Sequence, residues 1–372
     1  MLPDRADKPS TRCLGNRPAL DGLRGLAWLA VFVGHAGFLH VPGVARIAMF
    51  LFFGLSGFLI TALLVAERER RDSISLRRFF ARRALRLGPA LVVFLFCWLL
   101  SVAFLGAHRW MNTVPGDNPG GAQSLSAGLK GALESLGYVA NWFDIRHGMW
   151  GHLPLGHLWS LAVEEQFYLF WAPVLAILFV FARQRTMVFA CVAAASASVL
   201  EAIWLEESGR QNWSYMGTDS RAGCFLIGAA FAIAWSYGRL NWLEHRGIGQ
   251  LAIAGSLVSL AFCAKPLATN PSATVFASMW VLATLAAPLL VMSVILQPAS
   301  ALSLLLSKSV ATYIGRRSYG LYLWHYVFLT WFHDLGLTGV AVALGATLLV
   351  AELSWRVVEA PALRLKRRLA SS

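Results

Sequence analysis

The sequence predicts an all-α polytopic membrane protein of about ten transmembrane helices with both termini in the cytoplasm, and three observations lead there. Of its 372 residues, 57% are hydrophobic and 14% charged, with a mean hydropathy of +0.59, whereas soluble domains carry roughly 25% charged residues. Apolar runs of membrane length lie near 25–41, 45–66, 89–107, 158–182, 186–205, 222–237, 248–264, 273–296, 319–333 and 338–357, and an even number of crossings returns the chain to its starting side. The segments on that side (1–24, 67–88, 183–185, 238–246, 297–318 and 356–372) hold 25 of the 32 Lys and Arg residues, and the intervening segments hold 7. Cytoplasmic loops carry the excess of basic residues, so the net charge of +13 reflects topology rather than a nucleic-acid partner. One membrane domain over 18–360 is flanked by a cytoplasmic N-terminal tail over 1–17 and a basic cytoplasmic tail over 361–372.

The first run is preceded by basic residues, but a second run follows almost at once with no small-x-small cleavage site between them, so it reads as an uncleaved helix rather than a signal peptide. Within it, eleven positions separate Arg24 from His35. Eleven steps of 100° return to within about 20° of the start, so both side chains share one face, roughly 16 Å apart along the axis. A cation at the rim and a titratable ring in the apolar stretch, on one stripe, suggest a path for a long anionic molecule whose reactive end reaches the histidine. A snorkelling arginine and a packed histidine give the same pattern. In the second run, Gly54-Leu55-Ser56-Gly57-Phe58 is not the GxSxG nucleophile elbow, which needs glycine at position 58 and a strand-to-helix turn. Small-residue helix packing is the better account of Gly54, Ser56 and Gly57.

The loop at 67–88 carries Arg68, Arg70, Arg71, Arg77, Arg78, Arg82, Arg83 and Arg86 before Gly88-Pro89 opens the third run. Ser75–Leu87 reads as an amphipathic interfacial helix with Leu76, Phe79, Phe80 and Leu87 on its apolar side. Arg82, Arg83 and Arg86 project together, and guanidinium groups match phosphate bidentately; attraction to anionic lipid heads needs only their charge. The outer segment 108–157 holds Trp110, Trp142 and Trp150, suited to a carbohydrate or to an interfacial belt.

The fourth run begins HLWSLAVEEQFYLFW at 157–171, with His157, Trp159, Ser160, Glu164, Glu165 and Gln166 entering an apolar span. Adjacent carboxylates at a membrane edge are costly unless they pair, protonate or meet water. Glu164 lies two turns from His157; one glutamate would orient a histidine or accept a sugar hydroxyl, and a salt bridge to Arg146 or Arg221 is the plainer account. Near the ninth run, Tyr322 and His325 are helix neighbours three apart, and an aromatic belt explains Tyr319, Tyr322 and Trp324 equally well. The scattered Cys13, Cys97, Cys191, Cys224 and Cys263 include no CxxC pair and read as free thiols, and no HExxH or similar cluster suggests a metal. No repeat of fixed period is visible; Ala-rich helix at 191–198 and a Gly/Pro loop at 115–121 are the only biased stretches.

ALDGLRGLA at 19–27 with His35, FFGLSGFLIT at 52–61, FFARRALRLGP at 79–89, HLWSLAVEEQFYLFW at 157–171 and SYGLYLWH at 318–325 together resemble the membrane acyltransferase 3 family, in order and spacing over nearly the whole chain. The resemblance implies a ten-helix domain in the bacterial cytoplasmic membrane that takes an acyl group, usually acetyl, from coenzyme A and delivers it to a hydroxyl of a sugar or other acceptor. It implies that Arg24 and His35 are the family's arginine and histidine, the histidine being the catalytic candidate. Some members carry a further SGNH esterase-like domain; the chain ends soon after its last span, so a second transfer step would call for a separate extracytoplasmic partner enzyme.

Physical reading and resemblance converge on one mechanism. Acyl-CoA, expected to be acetyl-CoA, sets its phosphates against Arg24, Arg82, Arg83 and Arg86, and its pantetheine arm extends toward His35. An imidazole titrating near pH 6.5 is suited to general-base work on the acceptor hydroxyl. Glu164 or Glu165 assists, Trp159 stacks on a sugar ring, and Tyr322 and His325 complete the substrate side. The acceptor is a glycan or glycosylated small molecule: an envelope polysaccharide, a lipid-linked glycan, a peptidoglycan sugar or a sugar-bearing metabolite such as a macrolide. A transporter or lipid flippase without acyl-transfer chemistry is the alternative, though such proteins commonly show repeated halves; a lipid-sensing scaffold leaves His35 and the paired glutamates without a role. The charge asymmetry is directly testable: a fluorescent protein fused to the C-terminus should fluoresce in the cytoplasm, and a fusion active only outside the cytoplasmic membrane would overturn the topology.

Overall fold

A computed structural model describes residue 12 and residues 14–37, 43–105, 125–147, 155–264 and 272–371. Among them the chain is helical without a strand. The long elements are α1 (Pro18–Ala36), α2 (Gly43–Arg71) and α3 (Leu76–Leu105). The short α4 (Leu125–Leu136) and α5 (Ala140–His147) follow, then α6 (Trp159–Phe181), entered through a 3-10 turn at Gly156–Leu158. Next come α7 (Gln184–Glu207), the short α8 (Gln211–Met216), α9 (Thr218–Ser236), α10 (Arg246–Ala264) and α11 (Ala273–Leu296). The chain closes with α12 (Ala301–Leu306), α13 (Ser309–Trp331), α14 (Gly336–Ser354), a π-helical turn at Trp355–Glu359 and α15 (Ala360–Ser371). Cys13, Trp110 and Trp150 lie outside the described residues.

Seven helical segments are long and apolar enough to cross a membrane, and the chain is a multi-pass membrane protein. They contain seven of the ten apolar runs read from the sequence. The other three runs lie in α1, α9 and α13, of 19, 19 and 23 residues. Each of these carries charge among its apolar residues: Asp21 and Arg24 in α1, Asp219 and Arg221 in α9, Arg316 and Arg317 in α13. The groups that dilute their apolar character are largely those turned toward partners inside the bundle.

The core gathers around α2 and α11, whose most apolar stretches are 83% and 78% buried, against 28% for α10. α9 packs against α2 and α7, and α1 against α13 and α2. The large side chains left outside, such as Phe104, Phe170, Phe181 and Leu349, suit hydrocarbon. Arg221 is sealed within this core at 2% exposure. Its guanidinium lies over the rings of Trp280, Tyr215 and Phe50 at 4.3, 4.6 and 4.9 Å, and its Nε donates to the Tyr215 carbonyl at 2.6 Å.

Two details differ from the sequence reading. Gly88-Pro89 does not open a helix: α3 runs from Leu76 through Pro89 to Leu105 without a break. A proline removes one ladder bond, and the burial of Phe79, Leu87, Ala90 and Leu91 on both sides of it holds the two halves in line. The arginine segment is therefore the first turns of α3 rather than a separate helix, with Phe79 and Leu87 buried and Arg77, Ala81, Ala84 and Arg86 exposed. Separately, α1 ends at Ala36, where Gly37 takes φ +71°, so His35 stands in the last turn and not in mid-span.

Gly54 and Gly57 do serve close packing, whereas Ser56 between them donates to Glu164 at 2.7 Å rather than merely sparing space. A Cβ added at Gly57 would lie 2.0 Å from the Phe225 carbonyl oxygen of α9, a backbone atom that cannot step aside. Gly255 in α10 has no heavy atom within 4 Å of the same position. Gly57→Ala should therefore destabilise the bundle by about 1–3 kcal/mol through overpacking, while Gly255→Ala should be neutral or slightly stabilising through helix propensity. Thermal unfolding of the purified variants in detergent measures both, and equal melting temperatures would remove the close-contact account.

Candidate active site

Helices α1, α2, α3, α6 and α13 enclose a cavity of about 160 Å³ lined by Arg24, Arg83, Arg86, Ser56, Ser160, Glu164, Tyr168, Ser318, Tyr319 and Tyr322, with Met49, Phe52 and Phe53 among its apolar walls. Three guanidinium groups line one small space in which Glu164 is the single carboxylate of the lining. Each is held differently. Arg83 donates from Nε to Glu165 at 3.1 and 3.3 Å and again from its terminal nitrogen, and its guanidinium lies 3.6 Å from the Tyr168 ring centroid. Arg24 reaches Asp21, one turn back, at 3.4 Å. Arg86 makes no hydrogen bond or ion pair with a described residue. Converging like charges repel unless an anion lies among them, and guanidinium forks suit phosphate or carboxylate.

Glu164 accepts hydrogen bonds from Ser56 at 2.7 Å and from the Tyr168 hydroxyl at 2.5 Å, with the Arg83 guanidinium 3.9 Å away. The paired glutamates thus divide their work: Glu165 neutralises Arg83, and Glu164 is hydrogen-bonded on the cavity wall. Their partner is Arg83, not Arg146 or Arg221. Neither carboxylate is hydrogen-bonded to His35.

His35 meets α13 instead. Its Nδ1 lies 2.9 Å from Nε2 of His325, the two ring planes are within 6° of parallel with centroids 5.2 Å apart, so the rings meet edge to edge, and Tyr326 packs edge-on against His35 at 5.0 Å. His325 is fully buried whereas the other side of His35 is exposed. Tyr322 joins this pair to the cavity: it lines the cavity, its hydroxyl donates to the His157 carbonyl at 2.6 Å and lies 2.5 Å from Ser160 Oγ. His157, seen in the sequence only as a partner for Glu164, sits edge-on to His325 at 5.4 Å and bonds the Leu323 carbonyl through Nε2 at 3.2 Å. No group of three or more His, Cys, Asp or Glu with metal-holding geometry occurs among the described residues.

Two of the sequence-predicted residues lie apart from this arrangement. Arg82 lies outside the cavity lining and pairs with Glu67 at 2.9 Å; a four-residue step keeps it within about 40° of Arg86 on the helix, so the Glu67 carboxylate of α2, and not helix phase, sets its direction. Trp159 is 5% exposed and packed between Phe53 and Tyr215, which leaves it no free face for a sugar. Trp142 donates to Gln166 at 3.0 Å and packs on Trp213. Sequence reasoning missed Tyr168 and Tyr326, although Tyr168 follows Glu164 by four and the i,i+4 spacing was there to be read. Tyr326 carried no local signal.

Comparison with known proteins places the chain in a wider group. The family described as an acyltransferase domain, acyltransferase 3, matches residues 17–355. The chain is similar to the peptidoglycan O-acetyltransferase of Listeria monocytogenes, 31% identical over 361 residues covering 92% of this chain and 55% of that protein. It is similar to a putative peptidoglycan O-acetyltransferase of Bacillus subtilis, 31% identical over 365 residues, 92% of this chain and 54% of that protein, and to a putative O-acetyltransferase of Staphylococcus aureus, 28% identical over 362 residues, 92% and 57%. The chain spans about half the length of these relatives. No solved structure matches.

The Arg83–Glu165 pair has a measurable consequence. Both side chains are largely buried, at 11% and 14% exposure, so Glu165→Leu strands a guanidinium; breaking such a pair costs about 3–5 kcal/mol, here toward the lower figure because Tyr168 and Glu164 remain beside Arg83. Adding Arg83→Met should recover most of the loss. Thermal unfolding of the single and double variants reads this, and a Glu165→Leu protein as stable as the parent would show the pair to be unimportant for folding.

Proposed function

This chain belongs to the acyltransferase 3 family, and from that premise we propose that it is an integral-membrane O-acetyltransferase. It takes an acetyl group from acetyl-CoA and places it on a hydroxyl of a cell-envelope glycan, with peptidoglycan as the first acceptor to examine because two of its relatives are named for it. The observation that carries the reading is the single line from the arginine-lined cavity through Tyr322 to the His35–His325 pair.

By the positive-inside rule, the end of α1 that bears Arg24 faces the cytoplasm, where acyl-CoA is found. Arg24, Arg86 and the glutamate-bound Arg83 offer an anion site at that end. Phosphates of the donor settle there, bidentate contacts fix their orientation, and the acyl-bearing arm extends along α1. Roughly 16 Å of helix separates Arg24 from His35, which makes α1 a ruler between the charged end of the donor and the basic ring. His35 takes the proton of the acceptor hydroxyl as that oxygen attacks the thioester carbonyl. The C–O bond forms, the C–S bond breaks, and the departing thiolate recovers the proton from His35. Glu164, already hydrogen-bonded to Ser56 and Tyr168, shapes the donor cavity rather than serving His35. An exposed His35 at the far end of α1 suits an acceptor approaching from outside the cytoplasmic membrane.

Membrane vesicles that carry the chain together with their own glycans and receive labelled acetyl-CoA test this: thioester should be consumed and label should appear on glycan. His35→Ala should lower turnover by about 10²–10⁴-fold, the usual contribution of a general base, without loss of folded protein. Arg24→Lys and Arg86→Lys, which keep charge but lose the planar fork, should raise the Michaelis constant for acetyl-CoA roughly ten- to a hundred-fold. Arg70→Lys, on an exposed side chain outside the cavity, should not. Unchanged turnover in His35→Ala, or equal effects at Arg70 and Arg86, would overturn the assignment; solute movement without thioester consumption would favour a carrier.

A further inference from the structure

His325 meets His35 through a hydrogen bond whose direction can be worked out atom by atom. Its Nδ1 lies 2.7 Å from the carbonyl oxygen of Tyr322 in the preceding turn. A carbonyl only accepts, so Nδ1 of His325 carries the proton, and a neutral imidazole protonated there has its lone pair on Nε2. That lone pair faces Nδ1 of His35 at 2.9 Å. His35 must therefore be the donor, which leaves its own lone pair on Nε2, the atom on the opposite edge of the ring. The neighbouring His157 does not compete for this bond, because its Nε2 is turned to the Leu323 carbonyl. Burial of His325 at 0% exposure between α1 and α13, with Phe32 packed against it at 6.4 Å, keeps water from supplying another partner.

We propose that His325 is a positioning residue for acyl transfer, holding His35 as its Nδ1–H tautomer so that Nε2 is presented as the basic atom. The inference rests on the reading of His35 as general base. In the reaction, the acceptor hydroxyl gives its proton to Nε2 of His35 while its oxygen attacks the thioester carbon. The resulting imidazolium still donates from Nδ1 to His325, and this hydrogen bond is now charge-assisted and stronger. An interaction that strengthens as charge develops lowers the barrier rather than merely binding substrate. The thiolate then recovers the proton from Nε2 and the pair returns to its starting state. His325 thus acts through His35 without touching donor or acceptor, in contrast to a substrate-contacting role.

A near-isosteric pair of variants separates this role from packing. His325→Gln places a carbonyl oxygen close to the position of Nε2 and keeps an acceptor for His35; His325→Met has similar length and no comparable acceptor. With labelled acetyl-CoA and glycan-containing vesicles, His325→Met should lose about 10²–10⁴-fold in kcat, the range expected when a general base is lost, with an unchanged KM for acetyl-CoA. His325→Gln should retain most of the activity. A purely structural role predicts that apolar Met is tolerated at least as well as Gln, and that result would overturn the proposal. If both variants fail to fold, nitrogen-15 NMR of histidine-labelled wild-type protein decides: His35 protonated at Nδ1 supports the proposal and protonation at Nε2 alone ends it. His35→Ala run in parallel keeps the two failures apart, since an active His35→Ala protein sinks the general-base reading itself, whereas an inactive one beside a fully active His325→Met protein sinks only the positioning role.

Discussion

Guanidinium charge held inside an apolar bundle is the constraint around which the rest of this protein is arranged. Removing an ion from water costs several kcal/mol even after relaxation, so each inward-facing arginine must be paired, stacked or left beside a space that an anion can fill. All three solutions occur. Arg83 is paired with Glu165 and stacked on Tyr168, Arg221 is stacked among aromatic rings, and Arg86, the more exposed of them, borders the cavity it shares with Arg24. The donor site of the proposed reaction is the place where charge has been left over after the structural pairs are made.

The second requirement is register between α1 and α13. A Cβ added at Gly315 would lie 1.6 Å from the Asp21 carbonyl oxygen, so backbone meets backbone at the beginning of α1. Arg316 in the next position reaches Asp21 at 3.3 Å. Two turns and more farther along, the same contact brings His325 beside His35. A tight crossing at one end thus sets the partner of the histidine at the other, while Tyr322 on the same helix turns back toward the cavity. Side chains locked by packing hold a hydrogen-bond direction that a loop would not keep.

Much of the site was legible in the sequence because it follows helical periodicity. The Arg24–His35 spacing, the shared direction of Arg83 and Arg86, and the adjacency of Tyr322 and His325 all come from residues on one helix. Arg82 was grouped with Arg86 by the same four-residue spacing, and it pairs instead with Glu67 on α2, a partner that periodicity along α3 does not reveal. The assignment of Glu164 or Glu165 to His35 rested on chemistry without geometry. Apart from Tyr168 on the same helix, their partners lie on α2 and α3, and periodicity says nothing about which helix stands opposite.

By itself the sequence determined the all-helical membrane class, the apolar runs, the basic side and the set of polar residues that must find partners in a bundle. Composition, spacing along one chain and the cost of burying charge decide those without knowledge of packing. Only the tertiary structure decided which polar groups on different helices meet: Glu165 with Arg83, Ser56 with Glu164, and His325 with His35. The physical reason is that hydrophobicity is non-directional and specifies burial rather than neighbours, whereas a hydrogen bond needs its two atoms about 3 Å apart, a distance set by how helices remote in sequence cross.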